Sequence, residues 1–447
     1  MKKTFINIAL IITLGVSAIC ISSCKKEDPE SATEQVQIEG TIDVSSSTEG
    51  VGTVTWTKDK TYVLTGFVYV NEGQTLTIEK GTIIKGAYGT GASSSALIIA
   101  QGGKIMAEGT AEEPIIFTSI ADNIAYNEAG NLIDSDNLKP TDQGLWGGLI
   151  VLGKALTNTV PSVQNIEGIP TTETRGQYGG PDDNDNSGIL KYISIRHGGS
   201  NIGADNEING LSLGAVGDGT TIEHIEVYAN SDDGIEFFGG TVGVKYAVVS
   251  YCGDDSFDYD QGWRGKGQFW VTIQGEDSGN RAGEHDGGTN PETGMPYATP
   301  EIRNATYIGN GKERCLTFRD NAGGKYINSI FQGWDKGIDV EDLAGNGDSR
   351  QRLDDGDLII QDNVFYNIAS GTTINDLIVS SESEDISTHA NVTGNEVTNP
   401  GISVTNPVPT ATLATGAASA DTWFENVTYK GAFQESNWAK NWTKLFQ

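Results

Sequence analysis

A repeat of 22 residues constrains the fold of this chain more than any other feature of its sequence. Segments 232–238 and 254–260 match at this offset, and segments 313–319 and 335–341 repeat the pattern further along. Each match is short enough to be one strand, and strand-sized repeats of this length are typical of the coils of a parallel β-solenoid. We therefore predict an all-β parallel β-helix of roughly a dozen coils, each of about 22–24 residues, with long loop insertions.

The alternation of apolar and polar residues predicts which side chains of each strand point into the core and which point outward. Four repeats carry an apolar pair that we expect to point inward: Ile235 with Phe237, Phe257 with Tyr259, Leu316 with Phe318, and Ile338 with Val340. Cys252 and Cys315 lie too many coils apart for a disulfide, so we expect both to be buried and free. Polar stretches predict loops at 120–143, 157–188, 276–300, 342–357 and 380–422.

A second series places an asparagine directly before or at the start of a strand. Its members are Asn304, Asn328, Asn363 and Asn426. A side-chain amide in a tight turn can bond to the neighbouring coil, so stacked asparagines form a ladder. We interpret this series as structural and not as a set of ligands.

The N-terminus carries features of export. A basic start, Met1-Lys2-Lys3, precedes an apolar run that is too short to be a spanning helix. The run ends in Ser22-Ser23-Cys24, which resembles the lipobox of bacterial lipoproteins, and the resemblance implies cleavage before Cys24 and lipidation of that residue. The lysine and acidic residues at 25–28 resemble surface-export signals of Bacteroidota lipoproteins. We therefore predict a signal peptide at 1–23, a lipidated and flexible tether at 24–52, and a single β-helix domain at 53–447.

Several segments resemble the signatures of one family. They are 145–154, 184–192, 232–240 and the closing 431–433 with Trp438 and Trp442. The family is a group of largely uncharacterised Bacteroidota surface lipoproteins with a right-handed parallel β-helix of pectin-lyase-like type. The resemblance extends from about Trp56 to the C-terminus. It implies a right-handed helix and an outer-membrane, surface-exposed location, and it implies no established reaction.

The formal net charge of −31 argues against nucleic acids and anionic lipid as partners. Under the repeat, acidic residues fall at equivalent positions of successive coils and form three columns. These are Glu236 with Asp258, then Asp232 with Asp254 and Glu276, then Asp233 with Asp255 and Asp277. Stacked like charges destabilise a ladder, so something must compensate for them. Oxygen ligands favour Ca²⁺, and the candidate ligands are Asp232, Asp233, Glu236, Asp254, Asp255, Asp258 and Asp260. The alternative is a solvated acidic stripe that Arg264 and Lys266 partly neutralise.

A second candidate calcium site lies at 183–188. Asp183, Asp185, Ser187 and Gly188 match the beginning of an EF-hand loop, but position 12 is Ser194 where that loop has glutamate. The alternative is a turn in which aspartate and asparagine side chains bond to the local backbone. The sequence supports both interpretations equally.

Catalysis is the less favoured reading. Asp254 and Asp255 followed by Arg264-Gly265-Lys266 suggest a polygalacturonase-like hydrolase, yet His197 precedes the acidic pair, in the reverse of that family's order. A Ca²⁺-dependent lyase needs a basic residue, and the candidates are Arg264, Arg314 and Arg319. We expect Arg319 instead to pair with Glu341 on the next coil.

Two further groups bear on function. The segment Glu284-His285-Asp286 offers a ligand or acid–base group, although a polar surface loop is the simpler reading. Trp270 is expected to point outward, as a platform for a glycan or under the 276–300 loop, near Trp263 and Trp334. The sequence thus favours a binding or scaffolding lipoprotein, beside an outer-membrane β-barrel complex or a surface glycan. A Ca²⁺-dependent polysaccharide lyase or glycoside hydrolase is the alternative.

Overall fold

The computed structural model describes residues 40–134, 136–203, 206–288, 291–343, 347–381 and 385–447. Residues 40–447 form one compact unit, a right-handed parallel β-helix, as predicted. The predicted signal peptide, Cys24 and the tether up to residue 39 lie outside the described residues. The first coil begins earlier than the predicted boundary at 53, because strand Thr41–Ser45 pairs in parallel with Thr61–Thr65.

Each coil contributes to three faces. The first face contains the strands Val54–Trp56, Thr75–Ile78, Lys104–Glu108, Glu301–Arg303, Gly324–Ile327, Leu358–Gln361 and Val392–Thr393. The second face contains the strands Thr41–Ser45, Thr61–Thr65, Ile83–Gly86, Ile115–Ser119, Thr306–Ile308, Ile330–Gln332, Val364–Tyr366 and Glu396–Val397. Four longer strands run through both of these faces: Gly188–Arg196, Thr221–Tyr228, Gly243–Ser250 and Lys266–Ile273. The third face is a separate parallel sheet of Phe67–Val70, Ala96–Ile99, Leu149–Leu152, Leu211–Gly214, Ile235–Phe238, Phe257–Asp260, Gly283–Asp286, Arg314–Arg319, Lys336–Val340 and Ile378–Ser380.

The remaining elements are short and lie outside these faces. Three two-stranded pairs occur among the described residues: Ala125–Tyr126 with Leu132–Ile133, Gln164–Asn165 with Gln177–Tyr178, and Asn201–Gly203 with Asn206–Glu207. The helical segments are Gly91–Ser93, Thr174–Gly176, Ser349–Asp355 and Ile374–Leu377. Within the described part of the chain, no helix has the length and apolar character needed to cross a membrane.

The bend between the first two faces is built on residues in the left-handed region. In the four long strands these residues are Tyr192, His224, Tyr246 and Phe269, with φ between 51° and 59°. Side chains with a Cβ seldom adopt positive φ, so this bend needs compensation. Stacking supplies it, since the ring of His224 lies 4.1 Å from that of Tyr192 and 4.4 Å from that of Tyr246.

The C-terminal segment 425–447 covers this bend from outside. Trp438 and Trp442 pack edge-on against the ring of His224. The carboxylate of Glu226, which is fully buried, accepts hydrogen bonds from the backbone N–H groups of Lys444 at 2.8 Å and Leu445 at 3.0 Å. The end of the chain is thus fastened to the middle of the β-helix.

The core inside the coils agrees with the predicted alternation. All eight predicted inward side chains are buried: Ile235, Phe237, Phe257, Tyr259, Leu316, Phe318, Ile338 and Val340. Cys252 and Cys315 are buried and free, as predicted. Burial of each large apolar side chain stabilises the fold by about 1.5–3 kcal/mol.

The predicted asparagine ladder exists in part: it contains Asn363, as predicted, and Asn395, which was not predicted. The N–H of Ser329 donates to Oδ1 of Asn363 at 2.8 Å, and the N–H of Asn363 donates to Oδ1 of Asn395 at 3.0 Å. Asn304 and Asn328 lie one position earlier, at the left-handed bend. Asn426 lies in the C-terminal segment and not in a coil, so its inclusion in the ladder is wrong.

Candidate functional site

Outward side chains of the third face form a line along the β-helix that we call the face column: Ser212, Glu236, Asp258, Glu284, Thr317 and Asp339. Glu236 pairs with Asp258, as predicted, and Asp258 pairs with Glu284. Neighbouring strands lie about 4.8 Å apart, so three carboxylates follow one another at close range. Glu284 belongs here because Gly283–Asp286 is a strand of the third face, and the predicted loop over 276–300 is wrong for these residues.

The turn that precedes the third face carries a second line, the turn column: Asn209, Asp233, Asp255, Arg281, Arg314 and Lys336. The N–H that follows Asn209, Asp233 or Asp255 donates to the carbonyl of the next member of the column. Phe257 pairs with Gly283, an offset of 26 residues, and this breaks the repeat of 22. Glu276 and Asp277 therefore do not continue the acidic columns, and Arg281 takes the position after Asp255.

Two groups of carboxylates converge where these columns meet. Oxygen atoms of Asp233, Glu236 and Asp258 all lie within 4.8 Å of one another, and so do those of Asp232, Asp233 and Asp254. Asp233 belongs to both groups and is only 8% exposed, and Glu236 is 9% exposed. The structure therefore brings five of the predicted ligands together around one buried carboxylate.

Asp255 and Asp260 lie beside these groups but turn their oxygens elsewhere. Asp255 forms an ion pair with Arg281 at 3.5 Å and accepts a hydrogen bond from the backbone N–H of Arg281. Asp260 follows Asp258 by two residues on the same strand, and its Oδ1 accepts a hydrogen bond from the N–H of Gln261. The compact part of the cluster therefore consists of Asp232, Asp233, Glu236, Asp254 and Asp258.

A loop from elsewhere in the chain closes over the cluster. The amide of Asn209 donates to Oε1 of Glu167 at 2.9 Å and to Oε2 of Glu236. Nearby, Ile166, Ile169 and Tyr178 of the same 157–188 loop pack on outward apolar residues of the third face, among them Ile150. Glu167 and Asn209 are site residues that were not predicted from the sequence. Asn209 could be found from the register as the residue equivalent to Asp233, whereas the repeat carries no signal for Glu167.

Two buried oxygen atoms in this cluster have no hydrogen-bond partner among the described residues. They are Oδ1 of Asn209, whose residue is only 1% exposed, and Oδ1 of Asp258. A buried polar atom without a partner costs about 1–3 kcal/mol. Each atom is thus available to a ligand that accepts electron pairs from oxygen.

Burial controls the protonation of the cluster. Loss of solvation, and then the charges of neighbouring carboxylates, raise the pKa of Asp233, Glu236 and Asp258 well above their ordinary values. The same causes raise the pKa of Asp232 to about 7, and burial raises the pKa of Glu167 to about 7. Without a cation, the cluster therefore retains protons near neutral pH.

The predicted neutralising cations lie elsewhere. Arg264 forms a bidentate ion pair with Asp183 at 2.9 and 3.1 Å, and Lys266 pairs with Asp421 at 2.6 Å. Glu284 instead receives two arginines, Arg281 at 2.6 Å and Arg319 at 2.9 Å. The charge compensation therefore acts at Glu284, one strand beyond Asp258.

The predicted pair of Arg319 with Glu341 is wrong. Arg319 also binds Asp286, with Nε 2.6 Å from Oδ1, and Glu341 accepts a hydrogen bond from the N–H of Asp320 at 2.8 Å. The pairs with Glu284 and Asp286 join Arg319 to the strand before it. The strand register explains why Arg319 binds Asp286, because these two residues are paired directly in the sheet.

The second candidate calcium loop contains local side-chain-to-backbone bonds, since the N–H of Asn184 donates to Oδ1 of Asp182 at 3.1 Å and the N–H of Gly188 donates to Oδ1 of Asn186 at 2.8 Å. Oδ1 of Asp183 accepts a hydrogen bond from the N–H of Leu156 at 3.0 Å, and its carboxylate is held by Arg264. Oδ2 of Asp185 accepts a 3.3 Å hydrogen bond from Ser187 Oγ. The Arg264 hydrogen bond lowers the pKa of Asp183, whereas burial raises that of Asp185. Because a guanidinium already satisfies Asp183, the acidic cluster on the third face is the stronger candidate.

Two residues considered for surface chemistry point into the core. His285 stacks on Tyr259 at 4.1 Å, its Nε2 lies 2.8 Å from Tyr326 Oη, and burial lowers its pKa to about 3. Trp270 stacks on Phe257 at 4.3 Å and donates from Nε1 to the carbonyl of Val244. The prediction that Trp270 points outward is wrong, and Trp263 and Trp334 are buried as well. A left-handed residue at Phe269 shifts the alternation of this strand.

Comparison with known proteins identifies one family. The family model described as a pectate-lyase-like β-helix domain matches residues 47–443. No curated protein and no solved structure matches the chain. The matched range includes all ten strands of the third face and both acidic groups.

Proposed function

The chain belongs to the family of pectate-lyase-like β-helix domains, and we propose that this member of the family is a lipid-anchored outer-membrane protein of the cell surface. It acts by binding or scaffolding, and Ca²⁺ bound at the acidic cluster stiffens the third face. The N-terminal sequence supports the location, since Ser22-Ser23-Cys24 resembles a lipobox. Replacement of Cys24 by alanine tests the anchor, and release of the protein from the outer-membrane fraction is the expected result.

The calcium proposal rests chiefly on the convergence of Asp233, Glu236 and Asp258 without a cationic partner. Within the described ranges, no arginine or lysine forms an ion pair with any of these three carboxylates. Their oxygens are close enough to coordinate one ion, and Oδ1 of Asp258 and Oδ1 of Asn209 have no other partner. A site made of carboxylate and amide oxygens suits Ca²⁺ better than Zn²⁺, which prefers nitrogen and sulfur ligands.

A calcium-dependent lyase or hydrolase is the second candidate function, because Arg281 and Arg319 lie on the same face as the acidic cluster. Two contacts argue against it. Arg264 is held by Asp183, so it does not join Asp254 and Asp258 in one site. Burial lowers the pKa of Arg319, but the carboxylates of Asp286 and Glu284 raise it by more, so the pKa lies above its ordinary value. Arg319 therefore stays protonated and is unsuited to act as a base. Binding is therefore the better supported role.

The partner is an outer-membrane β-barrel complex or a surface glycan. The chain's charge of −31 favours a neutral or basic partner surface or a ligand bound through cations. Affinity purification of the anchored protein from membranes tests the first partner, with the unlipidated residues 25–447 as the control. Recovery of a β-barrel protein with the anchored form, in stoichiometric amount, is the expected result for a scaffold.

Thermal unfolding of residues 25–447 tests the calcium site. We expect 5 mM Ca²⁺ to raise Tm by several degrees over the value in EDTA, because an ion that binds only the folded state stabilises it by about 2.7 kcal/mol at 100 times Kd. The double variant Glu236→Gln/Asp258→Asn should lose this response. Asp43→Asn, at an exposed carboxylate of the first coil, should keep it. Equal Tm with and without Ca²⁺ in the unaltered protein would disprove the site.

A further inference from the structure

The side-chain charges of the turn column change from negative to positive along the β-helix. Its first carboxylates, Asp233 and Asp255, are followed by three cations, Arg281, Arg314 and Lys336. Arg314 pairs directly with Lys336, and the pairing of Gly283 with Leu316 brings Arg281 beside Arg314. Like charges on neighbouring strands destabilise a sheet, so a row of three cations calls for an anion.

These cations line one cavity. It has a volume of about 530 Å³ and is lined by Arg281, Gly311, Lys312, Glu313, Arg314, Asp335 and Lys336. Four of the lining side chains are cationic and two are acidic, in a chain whose net charge is −31. The lining of the cavity is therefore positively charged, opposite in sign to the net charge of the protein.

The existing contacts leave the charges of two of these four cations, Arg314 and Lys336, largely unsatisfied. The side chain of Arg314 is 22% exposed, and among the described residues its only ion pair joins Nη1 to Oδ1 of Asp339 at 3.7 Å. No hydrogen bond from the Arg314 guanidinium reaches any residue that the structure describes. Lys336 is exposed and has no ion pair with the described residues. Arg281, in contrast, is held by Glu284 and Asp255. Lys312 pairs with Asp277 at 3.5 Å and donates a hydrogen bond to the carbonyl of Glu276 at 2.6 Å.

We propose that this cavity binds an anionic oxygen group, a carboxylate or a sulfate, presented by a saccharide or as the free ion. A guanidinium donates two parallel hydrogen bonds to such a group, and Arg314 has its donors available. Lys336 and Lys312 add charge from the neighbouring coil and the adjoining turn. The site does not require the calcium cluster, since none of the lining residues belongs to either carboxylate group.

Isothermal titration calorimetry of residues 25–447 in EDTA, at constant ionic strength, tests the proposal. The probes are glucuronate, glucose as its uncharged counterpart, and sulfate. We expect saturable binding of glucuronate or sulfate, no binding of glucose, and at least a tenfold loss of affinity in Arg314→Gln/Lys336→Gln. Lys104→Gln is the matched control, because Lys104, like Lys336, is an exposed lysine that begins a strand.

The pattern of binding decides between the two kinds of anionic group. Binding of glucuronate identifies a carboxylate site, and binding of sulfate alone identifies a sulfate site. The single variant Lys336→Gln, at an exposed position, shows whether any loss in the double variant reflects charge and not misfolding. The proposal is overturned if neither anion binds more tightly than about 10 mM. It is also overturned if both variants bind as the unaltered protein does.

Discussion

The backbone N–H of Asp255 donates a 2.8 Å hydrogen bond to Oδ1 of Asp233 on the preceding coil. This bond holds the Asp233 carboxylate at the junction of the two acidic groups, where it is almost completely buried. A carboxylate is an unusual choice for a side chain that caps a turn inside a cluster of like charges. At the proposed calcium site, the remaining oxygen of the same carboxylate would be a ligand of the cation.

The metal-free protein should lose stability as pH rises. Burial raises the pKa of Glu167 and Asp232 to about 7 in the folded state, from ordinary values of 4.5 and 3.8. The folded state then binds more protons than the unfolded state, so the stabilisation present below pH 4 is lost progressively up to about pH 7. Urea unfolding in EDTA between pH 4.5 and 8 measures this slope.

Glu167→Gln should flatten that pH dependence, because the amide cannot titrate. Ca²⁺ should reduce it further by replacing the bound protons. Asp43→Asn serves as the control and should leave the slope unchanged. A stability that rises between pH 5 and 7 in EDTA would contradict the predicted protonation of the cluster.

The C-terminal segment should contribute strongly to stability through Glu226. Glu226→Ala leaves the N–H groups of Lys444 and Leu445 without their acceptor, and we expect a loss of about 3 kcal/mol in the free energy of unfolding. Lys444→Ala removes its ion pairs with Asp134 and Asp136 but keeps the backbone N–H, so its loss should be smaller, about 1 kcal/mol. Guanidinium unfolding measures both. Equal losses would show that the backbone contacts are unimportant.

Asn363 should be more important than any other predicted member of the asparagine ladder. Its side chain accepts from Ser329 and donates to the carbonyl of Tyr326, so Asn363→Ala leaves two buried backbone groups unpaired. We expect a loss of about 2–4 kcal/mol, measured by urea unfolding. Asn426→Ala, at an exposed position outside the coils, should change stability by less than about 0.5 kcal/mol.

His285 should behave as a core residue and not as an acid–base group. Replacement by alanine removes a ring stacked on Tyr259 and leaves the hydroxyl of Tyr326 without its partner. We expect a loss of about 3–5 kcal/mol in the free energy of unfolding. His389→Ala, at a partly exposed ring that contacts Asp354 at 3.2 Å, is the control and should cost less than about 1 kcal/mol. A loss at His285 no larger than at His389 would place the ring outside the core.

Part of the candidate site could be predicted from the repeat alone. The offset of 22 correctly paired Glu236 with Asp258, because no insertion separates their coils. It failed one coil later, where Phe257 pairs with Gly283 at an offset of 26 and Arg281 stands where Asp277 was expected. The motif at 275–278 resembles the earlier turns, so its composition alone did not reveal the insertion.

The sequence by itself determined the coil, its inward side chains and the acidic character of one face. These three features depend on residues that lie close together in the chain. There, the alternation of side chains along a strand and the length of the repeat set which residues point inward and which stack on one another. Only the tertiary structure decided which charges meet, and it placed Glu167 over Glu236, Arg264 on Asp183 and Arg319 on Asp286. Loops and insertions set these contacts, and the distance along the chain does not determine where a loop of irregular conformation will pack. The contact of Glu226 with the C-terminal segment was also decided by the tertiary structure. It joins residues more than two hundred positions apart, because the last segment packs back against the outside of the β-helix.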